Sequence, residues 1–175
     1  MADVIKHVPF SPDLLDLVKD FDCGSEPYQM ELADWIRNDA LQAVEGGTRV
    51  WLYVDTAGDV VGYGSLGESN WRYPDYQAKK RSKVLIIPAV ALDKRYHGKP
   101  EGADRDGRYS SQVMQHLIAE AQRWPTPMPA LCLFVHPDNE AAIKLYKRFD
   151  FQPYPHTYTD RVKNVTYQGC ARPLP

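Results

Sequence analysis

The chain has 175 residues, 43% of them hydrophobic and 25% charged, and these proportions argue against a disordered or fibrous protein. Its length fits one globular domain over residues 1–175. The formal net charge of −2 gives no overall attraction to nucleic acid, so binding a polyanion would need a local basic patch.

Membrane, disulfide and metal chemistry are not indicated either. No apolar stretch approaches the roughly 20 residues that span a bilayer, and residues 1–13 lack a basic run followed by an apolar one. We therefore expect a cytoplasmic protein without membrane contact. The three cysteines, Cys23, Cys132 and Cys170, are widely spaced and odd in number, which predicts reduced thiols and no metal site.

The N-terminal part of the chain predicts a strand, helices and a hairpin. A short apolar strand over residues 4–8 leads to a Ser-Pro-Asp helix start at 11–13. Residues 26–44 carry apolar side chains at three- and four-residue spacing, which predicts an amphipathic helix. The β-rich runs 49–54 and 60–66 flank a Thr-Ala-Gly-Asp turn, so we predict a β-hairpin.

Residues 68–82 are polar, aromatic and charged, which predicts an exposed excursion from the fold. Trp71, Tyr73 and Tyr76 lie in the same stretch as Arg72, Lys79, Lys80 and Arg81. Aromatic rings and basic groups bind RNA by stacking and phosphate contact, but solvated loops also have this composition. Of the two interpretations, the solvated loop is preferred.

The middle of the chain combines a buried strand, a loop and a helix. Residues 84–92 are almost wholly apolar, with Pro88 predicting a bulge or splay. Residues 96–107 form a loop rich in glycine, proline and charge, and the apolar spacing at 113–124 predicts a helix. The N–H groups at a helix start bind phosphates, although many such turns carry glycine and arginine only to turn the chain.

The remaining segments complete a mixed sheet. Residues 131–135 predict a buried strand, 138–149 an amphipathic helix, and 154–158 and 164–169 two further strands. A strand–helix–strand–helix order followed by two strands predicts antiparallel pairs at both ends of the sheet and one parallel crossover. We expect the last strand, near residues 162–169, to be an exposed edge.

Two motifs carry a family resemblance. Residues 135–151 read V-H-P-D-N-E-A-A-I-K-L-Y-K-R-F-D-F and resemble the V-x-P-x-N-x-x-A-x-x-L-Y-x-x-x-G-F block of GCN5-related (GNAT) acetyltransferases, with Asp150 in place of its glycine. Residues 90–99, V-A-L-D-K-R-Y-H-G-K, resemble that family's L-A-V-D-P-x-Y-Q-G-R. The resemblance implies an α+β (mixed α/β) fold, whose central mixed sheet of about six to seven strands is splayed between strands 4 and 5 and flanked by about four helices.

The same resemblance implies that acetyl-CoA is the co-substrate. The backbone of residues 90–92 would bind the pantetheine arm, with 131–135 as the other lip of the cleft. Asn139 would cap its helix or contact the pantetheine. The family's phosphate loop, Q/R-x-x-G-x-G/A, has two candidate placements here, and an enlarged loop combining both is favoured. The cofactor-binding residues so implied are Val90, Ala91, Leu92, His97, Gly98, Lys99, Arg105, Gly107, Arg108, Tyr109, Ser110, Ser111 and Asn139.

The resemblance also implies an N-acetyltransferase that moves the acetyl group directly to a primary amine, without a covalent enzyme intermediate. Tyr146, at the tyrosine of the Leu-Tyr pair, would protonate the departing thiolate, although helical periodicity alone favours a core aromatic. Glu68 is the candidate general base, and a solvated loop residue is the other reading. A backbone N–H near Leu92 would act as an oxyanion hole.

The N-terminal half resembles one branch of the family. Phe21-Asp22-Cys23-Gly24, a helix containing Trp35-Ile36-Arg37-Asn38-Asp39-Ala40-Leu41, and Val60-Val61-Gly62-Tyr63 resemble GNAT toxins that acetylate aminoacyl-tRNA. That likeness implies charged tRNA as the acceptor and a ribbon-helix-helix antitoxin as a partner. A catalytically silent GNAT-like binding module is the alternative of another class. The family also forms homodimers, for which the edge strand would be available.

Overall fold

The computed structural model describes residues 3–175, which form two compact units. The first unit contains the described residues up to Leu66 together with Ala89–Leu117, and the second contains Gly67–Pro88 and Ile118–Pro175. Each unit is described by itself.

Strands and helices alternate along the chain. The strands are β1 (Lys6–Pro9), β2 (Arg49–Val54), β3 (Val60–Trp71), β4 (Ser82–Ile87), β5 (Val90–Leu92), β6 (Ala130–Val135), β7 (Gln152–Asp160) and β8 (Val165–Pro173). The α-helices are α1 (Leu15–Val18), α2 (Pro27–Asp34), α3 (Ala40–Glu45), α4 (Tyr109–Gln122) and α5 (Glu140–Arg148). The hydrogen-bonded strands form one open, mostly antiparallel sheet, so the predicted α+β class is confirmed.

The first unit holds β1, β2, the first half of β3, and β5, which pair antiparallel in that order. The predicted hairpin is confirmed: Asp55 closes its turn by accepting the N–H groups of Ala57 and Asp59. The predicted helix start at residues 11–13 is confirmed, with Ser11 at the N-cap and Pro12 in the first turn, although the Ser11 side chain makes no capping hydrogen bond there.

The predicted helix over residues 26–44 is helical but not uniform. It consists of α2, a π-helical turn at Trp35–Asp39, and α3, and it starts at a capping box between Glu26 and Gln29. Trp35 stacks on Tyr63 of β3 at a ring-centroid distance of 5.6 Å. This contact packs the helical segment against the sheet of the first unit.

The predicted strand over residues 84–92 is broken near Pro88 into β4 and β5. Ser65 is fully buried, and its hydroxyl donates to the carbonyl of Ala89 at 2.6 Å and accepts that residue's N–H at 3.0 Å. One hydroxyl therefore satisfies both backbone groups of the residue that precedes β5, which stabilises the break at this point.

The second unit holds a five-strand arrangement in the order β3, β4, β6, β8, β7, of which only β4 and β6 are parallel. The last strand of the chain, β8, lies between β6 and β7, so the prediction that it forms the exposed edge is wrong. The edge strand is β7. The order follows from the hairpin between β7 and β8, which inserts β8 beside β6, a long-range pairing that no local pattern encodes.

The predicted excursion over residues 68–82 is partly strand. Strand β3 continues to Trp71 and pairs with β4, and the Trp71 side chain is only 1% exposed. It packs in a small core with Val84, Cys132 and Ala171. The excursion therefore begins after Trp71. None of the helices within residues 3–175 is long and apolar enough to cross a membrane.

Candidate active site

Strand β5 presents one free edge in the first unit. Residues Gly62 and Leu92 face each other across β3 and β5, and the N–H of Asp93 donates to the carbonyl of Val61 at 2.9 Å. In an antiparallel ladder this bond marks the 62–92 pair as non-hydrogen-bonded. The N–H and C=O groups of Val90 and Leu92 therefore point away from β3, whereas those of Ala91 point toward it.

The carbonyl of Leu92 is contacted from within the chain, but its N–H is not. The Nε2 atom of His97 lies 3.1 Å from the Leu92 oxygen. No acceptor for the Leu92 N–H occurs among residues 3–175. The outward edge of β5 thus offers the N–H of Leu92 and both backbone groups of Val90 to an extended ligand.

The two candidate phosphate-loop segments are joined in the structure. The N–H of Tyr109, the first residue of α4, donates to the carbonyl of Lys99 at 2.9 Å. The hydroxyl of Ser111 donates to the carbonyl of Arg105 at 2.6 Å. Both segments therefore meet at the N-terminus of α4, which is the arrangement expected of the enlarged loop.

The backbone amides of this loop divide into occupied and available groups. The N–H of Gly107 donates to the side chain of Asp104 at 2.8 Å, and that of Tyr109 is taken by Lys99. The N–H of Ser110 has no acceptor within residues 3–175, and that of Arg108 makes only the loose hydrogen bond that closes the turn over residues 105–107. These two amides are the ones that can bind an anion at the start of α4.

The charges around the loop nearly balance. Arg105 and Arg108 are exposed, whereas Lys99 forms an ion pair with Glu101. Gly98 adopts a positive φ of 73° and has open space where a side chain would stand. The arginine guanidinium groups are therefore the cations that remain available for charge-assisted contacts to phosphate.

Tyr146 is buried on α5 in the second unit. Its side chain is 8% exposed, and its ring packs at a centroid distance of 5.8 Å from Phe151. Burial, with Cys170 as a smaller contributor, raises the pKa of Tyr146 well above its usual range. Its hydroxyl therefore stays protonated at neutral pH and is a hydrogen-bond donor there.

Asn139 caps α5. Its Oδ1 accepts the N–H of Ala142 at 3.2 Å, which satisfies one of the first-turn donors of the helix. The capping alternative for this residue is confirmed by that bond. Asp150 ends the helix with a φ of 66°, the left-handed conformation expected where the family motif has glycine.

Glu68 is held in a polar cluster of the second unit. One carboxylate oxygen accepts the indole N–H of Trp124 at 3.1 Å, and the other lies 2.9 Å from the ammonium of Lys83. These contacts, the one with Lys83 first, hold the pKa of Glu68 below its usual range. A carboxylate with a lowered pKa is a weaker base, so the surroundings fit an ion pair better than proton abstraction.

Cys23 does not fit a nucleophile. It is buried, and burial together with the nearby Asp93 and Asp22 carboxylates raises the pKa of its thiol to about 12. The thiolate that a nucleophile requires is therefore almost absent at neutral pH.

A sequence profile described as the acetyltransferase (GNAT) family matches residues 13–151. The chain belongs to the GNAT family of acetyltransferases. The predicted family and enzyme class are confirmed. The match runs through both units, and no curated protein matches the sequence.

Solved structures similar to this GNAT protein include a toxin bound to an antitoxin, a protein in complex with acetyl-CoA and a putative acetyltransferase. AtaT, as a tyrosine-to-phenylalanine mutant bound to the C-terminus of the antitoxin AtaR, is 18% identical, with a TM-score of 0.66 over 98% of this chain and 94% of that one. Arabidopsis thaliana NAA60 in complex with acetyl-CoA is 15% identical, with a TM-score of 0.62 over 98% and 99%. A putative GNAT-family acetyltransferase from Bordetella pertussis is 17% identical, with a TM-score of 0.66 over 98% and 97%. These similarities establish the fold.

The predicted site residues of this GNAT protein divide between the units. Residues 90–111 lie in the first, whereas Glu68, Asn139 and Tyr146 lie in the second. Sequence reasoning missed Gln112, whose side chain bonds the loop before α4. Glutamine in the first turn of an amphipathic helix gives no distinguishing signal, so only the structure identifies it.

Proposed function

We propose that the protein transfers the acetyl group of acetyl-CoA to a primary amine by direct attack, without a covalent enzyme intermediate. The observation that carries this proposal is the free edge of β5, where Val90 and Leu92 direct backbone groups away from β3. A pantetheine arm carries two amides and pairs with such an edge as an added strand would. The N–H groups of Arg108 and Ser110, with the guanidinium of Arg105, would bind the diphosphate.

Two groups of this chain are assigned to the reaction, one at the thioester oxygen and one at the departing sulfur. The N–H of Leu92 would donate to the thioester oxygen as negative charge develops on it. The amine nitrogen forms the new C–N bond as the C–S bond breaks, the amine loses a proton, and the sulfur gains one. The Tyr146 hydroxyl would donate to that sulfur, since its raised pKa keeps it protonated.

The Glu68 carboxylate is already engaged by Lys83 and Trp124, which disfavours it as the general base. Glu68 keeps that role only if its ion pair with Lys83 opens during the reaction. An amine that binds in its neutral form can instead lose its proton to solvent, which does not require the ion pair to open. Because Glu68 is held by Lys83 and Trp124, we favour solvent as the proton acceptor.

Calorimetric titration with acetyl-CoA, followed by a screen of primary amines, tests the proposal. An acetyltransferase would be supported if both acetyl-CoA and free CoA bind, and if CoA thiol is released from acetyl-CoA when an amine is added. Binding without turnover on any amine would favour a silent binding module. No binding of acetyl-CoA would overturn the proposal.

Aminoacyl-tRNA is the second candidate acceptor, and an aromatic surface of the second unit favours it. The rings that reach this surface are the half-buried His156, which stacks on the buried Trp71 at a centroid distance of 4.5 Å, and Tyr158, which is 53% exposed. Burial, followed by the charges of Arg81 and Arg72, lowers the pKa of His156. Neutral rings beside arginines suit stacked bases and phosphates.

The acceptor screen separates the two candidates. Acetylation of charged tRNA that weakens steeply with salt, and exceeds that of the free aminoacyl ester, would favour the toxin-like reaction. Equal rates on both would favour a small amine. In the toxin-like case a partner that binds as AtaR binds AtaT would be expected.

A further inference from the structure

Gln112 connects three backbone segments at the start of α4. Its Nε2 donates to the carbonyl of Gly107 at 2.9 Å and to the carbonyl of Asp3 at 2.9 Å. Its Oε1 accepts the N–H of Ile5 at 3.0 Å. One amide side chain therefore bonds both the phosphate loop and the N-terminal segment, residues 3–5.

A second contact joins the same segments. The hydroxyl of Tyr109 donates to the Asp3 carboxylate at 2.6 Å, and the Tyr109 side chain is only 4% exposed. The Tyr109 N–H meanwhile bonds to Lys99 at the other side of the loop. The N-terminal segment is thus attached to the first turn of α4 through both Tyr109 and Gln112.

This attachment affects the two amides that are available to an anion. Arg108 and Ser110 flank Tyr109, and Gly107, whose carbonyl Gln112 binds, directly precedes Arg108. Fixing the residues on each side of an N–H fixes its direction, and a diphosphate is bound well only by donors that already point at it.

We infer that Gln112 is a positioning residue of the acetyl-CoA site, holding the N-terminal segment and the phosphate loop together so that the Arg108 and Ser110 amides face the diphosphate. The inference rests on the proposed function, because it needs this loop to bind the diphosphate. The attachment of residues 3–5 to α4 should then raise the affinity for acetyl-CoA, and bound acetyl-CoA should in turn stabilise that attachment.

The test compares Gln112→Ala with Gln115→Ala, a matched change at an exposed position of the same helix. Two acetyl donors are used: acetyl-CoA and S-acetyl-pantetheine, which lacks the diphosphate. Loss of three hydrogen bonds in Gln112→Ala should raise the KM for acetyl-CoA by about tenfold. The KM for S-acetyl-pantetheine and both kcat values should change by less than about twofold, and Gln115→Ala should resemble the wild type on both donors.

Other results overturn the inference. An unchanged KM for acetyl-CoA in Gln112→Ala would show that the contacts do not position the diphosphate site. Equal increases in KM for acetyl-CoA and S-acetyl-pantetheine would show that Gln112 has only a general structural role. If the wild type neither binds nor uses acetyl-CoA, the proposed function fails and the inference falls with it.

Hydrogen exchange on the wild type keeps the inference testable if Gln112→Ala does not fold. The Ile5 N–H, which bonds to Gln112, should exchange more slowly when acetyl-CoA is bound and at an unchanged rate with S-acetyl-pantetheine. Equal rates with and without acetyl-CoA would contradict the linkage.

Discussion

At the scale of single residues, burial decides what Tyr146 can do. Its raised pKa keeps the hydroxyl protonated, so it can donate a hydrogen bond but cannot act as a base near neutral pH. A free thiol has a pKa of about 8.5, so complete proton transfer from such a tyrosine to a thiolate is uphill. The consistent role of Tyr146 is to donate a hydrogen bond to the developing thiolate, while solvent takes the proton from the amine and supplies the proton that completes the thiol.

Tyr146→Phe should therefore lower kcat by about 10²-fold while leaving the Kd for acetyl-CoA within a factor of about two. The residual rate should show no new dependence on pH between 6 and 9, because Tyr146 does not ionise there. Steady-state rates across pH, with calorimetry for binding, measure both. Tyr167→Phe, at a half-buried tyrosine of β8 to which no role is assigned, is the control, and an unchanged kcat in Tyr146→Phe would make Tyr146 a core residue only.

Glu68 offers a contrasting prediction because its carboxylate is already engaged. Glu68→Gln should leave kcat/KM within a factor of about three, since removing a catalytic base typically costs about 10²-fold or more. The pKa of Glu68 is lowered from 4.5 in the folded protein, so its ion pair stabilises the fold above that pH. The contribution is lost as the pH falls through the folded value.

Denaturation of wild type and Glu68→Gln at pH 7 and in acid measures that effect, and the difference between the two proteins should shrink in acid. Lys83→Gln, which removes the other partner of the ion pair, should behave similarly. A large loss of kcat in Glu68→Gln, with no such loss in Lys83→Gln, would instead identify Glu68 as the general base.

The sequence identified residues wherever a motif fixes their position. Asn139 and Tyr146 came from one contiguous block, and the structure places them at the cap and within α5. The available amides of Arg108 and Ser110 could not be separated from those of Gly107 and Tyr109 by sequence. Which N–H is occupied depends on hydrogen bonds to Asp104 and Lys99, and nothing in the sequence specifies these.

At the scale of elements, the pairing of β3 with β5 depends on a glycine. A Cβ on Gly62 would lie 2.5 Å from the carbonyl oxygen of Ala91 and 2.7 Å from Cδ2 of Leu92. The first contact is with backbone, so the two strands would have to move apart. The free edge of β5 would move with them.

Gly62→Ala should destabilise the protein by about 1–3 kcal/mol and weaken acetyl-CoA binding. Chemical denaturation and calorimetry measure the two effects. Gly46→Ala is the matched control, because a Cβ there meets only ordinary contacts of 3.5 and 3.6 Å. Full retention of acetyl-CoA affinity in Gly62→Ala would argue against β5 as the pantetheine strand.

Local pattern predicted the elements better than their neighbours in the sheet. The hairpin of β2 and β3 and the helix α5 follow from turn chemistry and helical spacing, both of which are short-range. The edge position of β7 and the continuation of β3 to Trp71 depend on pairing with distant strands. Hydrophobic pattern specifies which face of a strand is buried but does not specify its neighbour.

At the scale of the whole molecule, two elements contribute residues to both compact units. Strand β3 passes from the first unit to the second after Leu66, and helix α4 does so after Leu117. Unfolding of one unit alone would have to end a strand and a helix in mid-element, where freed backbone groups lose their partners. This continuity favours a single cooperative transition, as expected of one domain over residues 1–175.

Scanning calorimetry should therefore give one transition whose calorimetric and van't Hoff enthalpies agree. Acetyl-CoA at about 100 times its Kd should add about 2.7 kcal/mol of stability and move the whole transition upward without splitting it. Two transitions, only one of which moves with acetyl-CoA, would instead identify the compact units as separate domains. In that case, the transition whose temperature rises with acetyl-CoA would belong to the unit that contains most of the residues that bind acetyl-CoA.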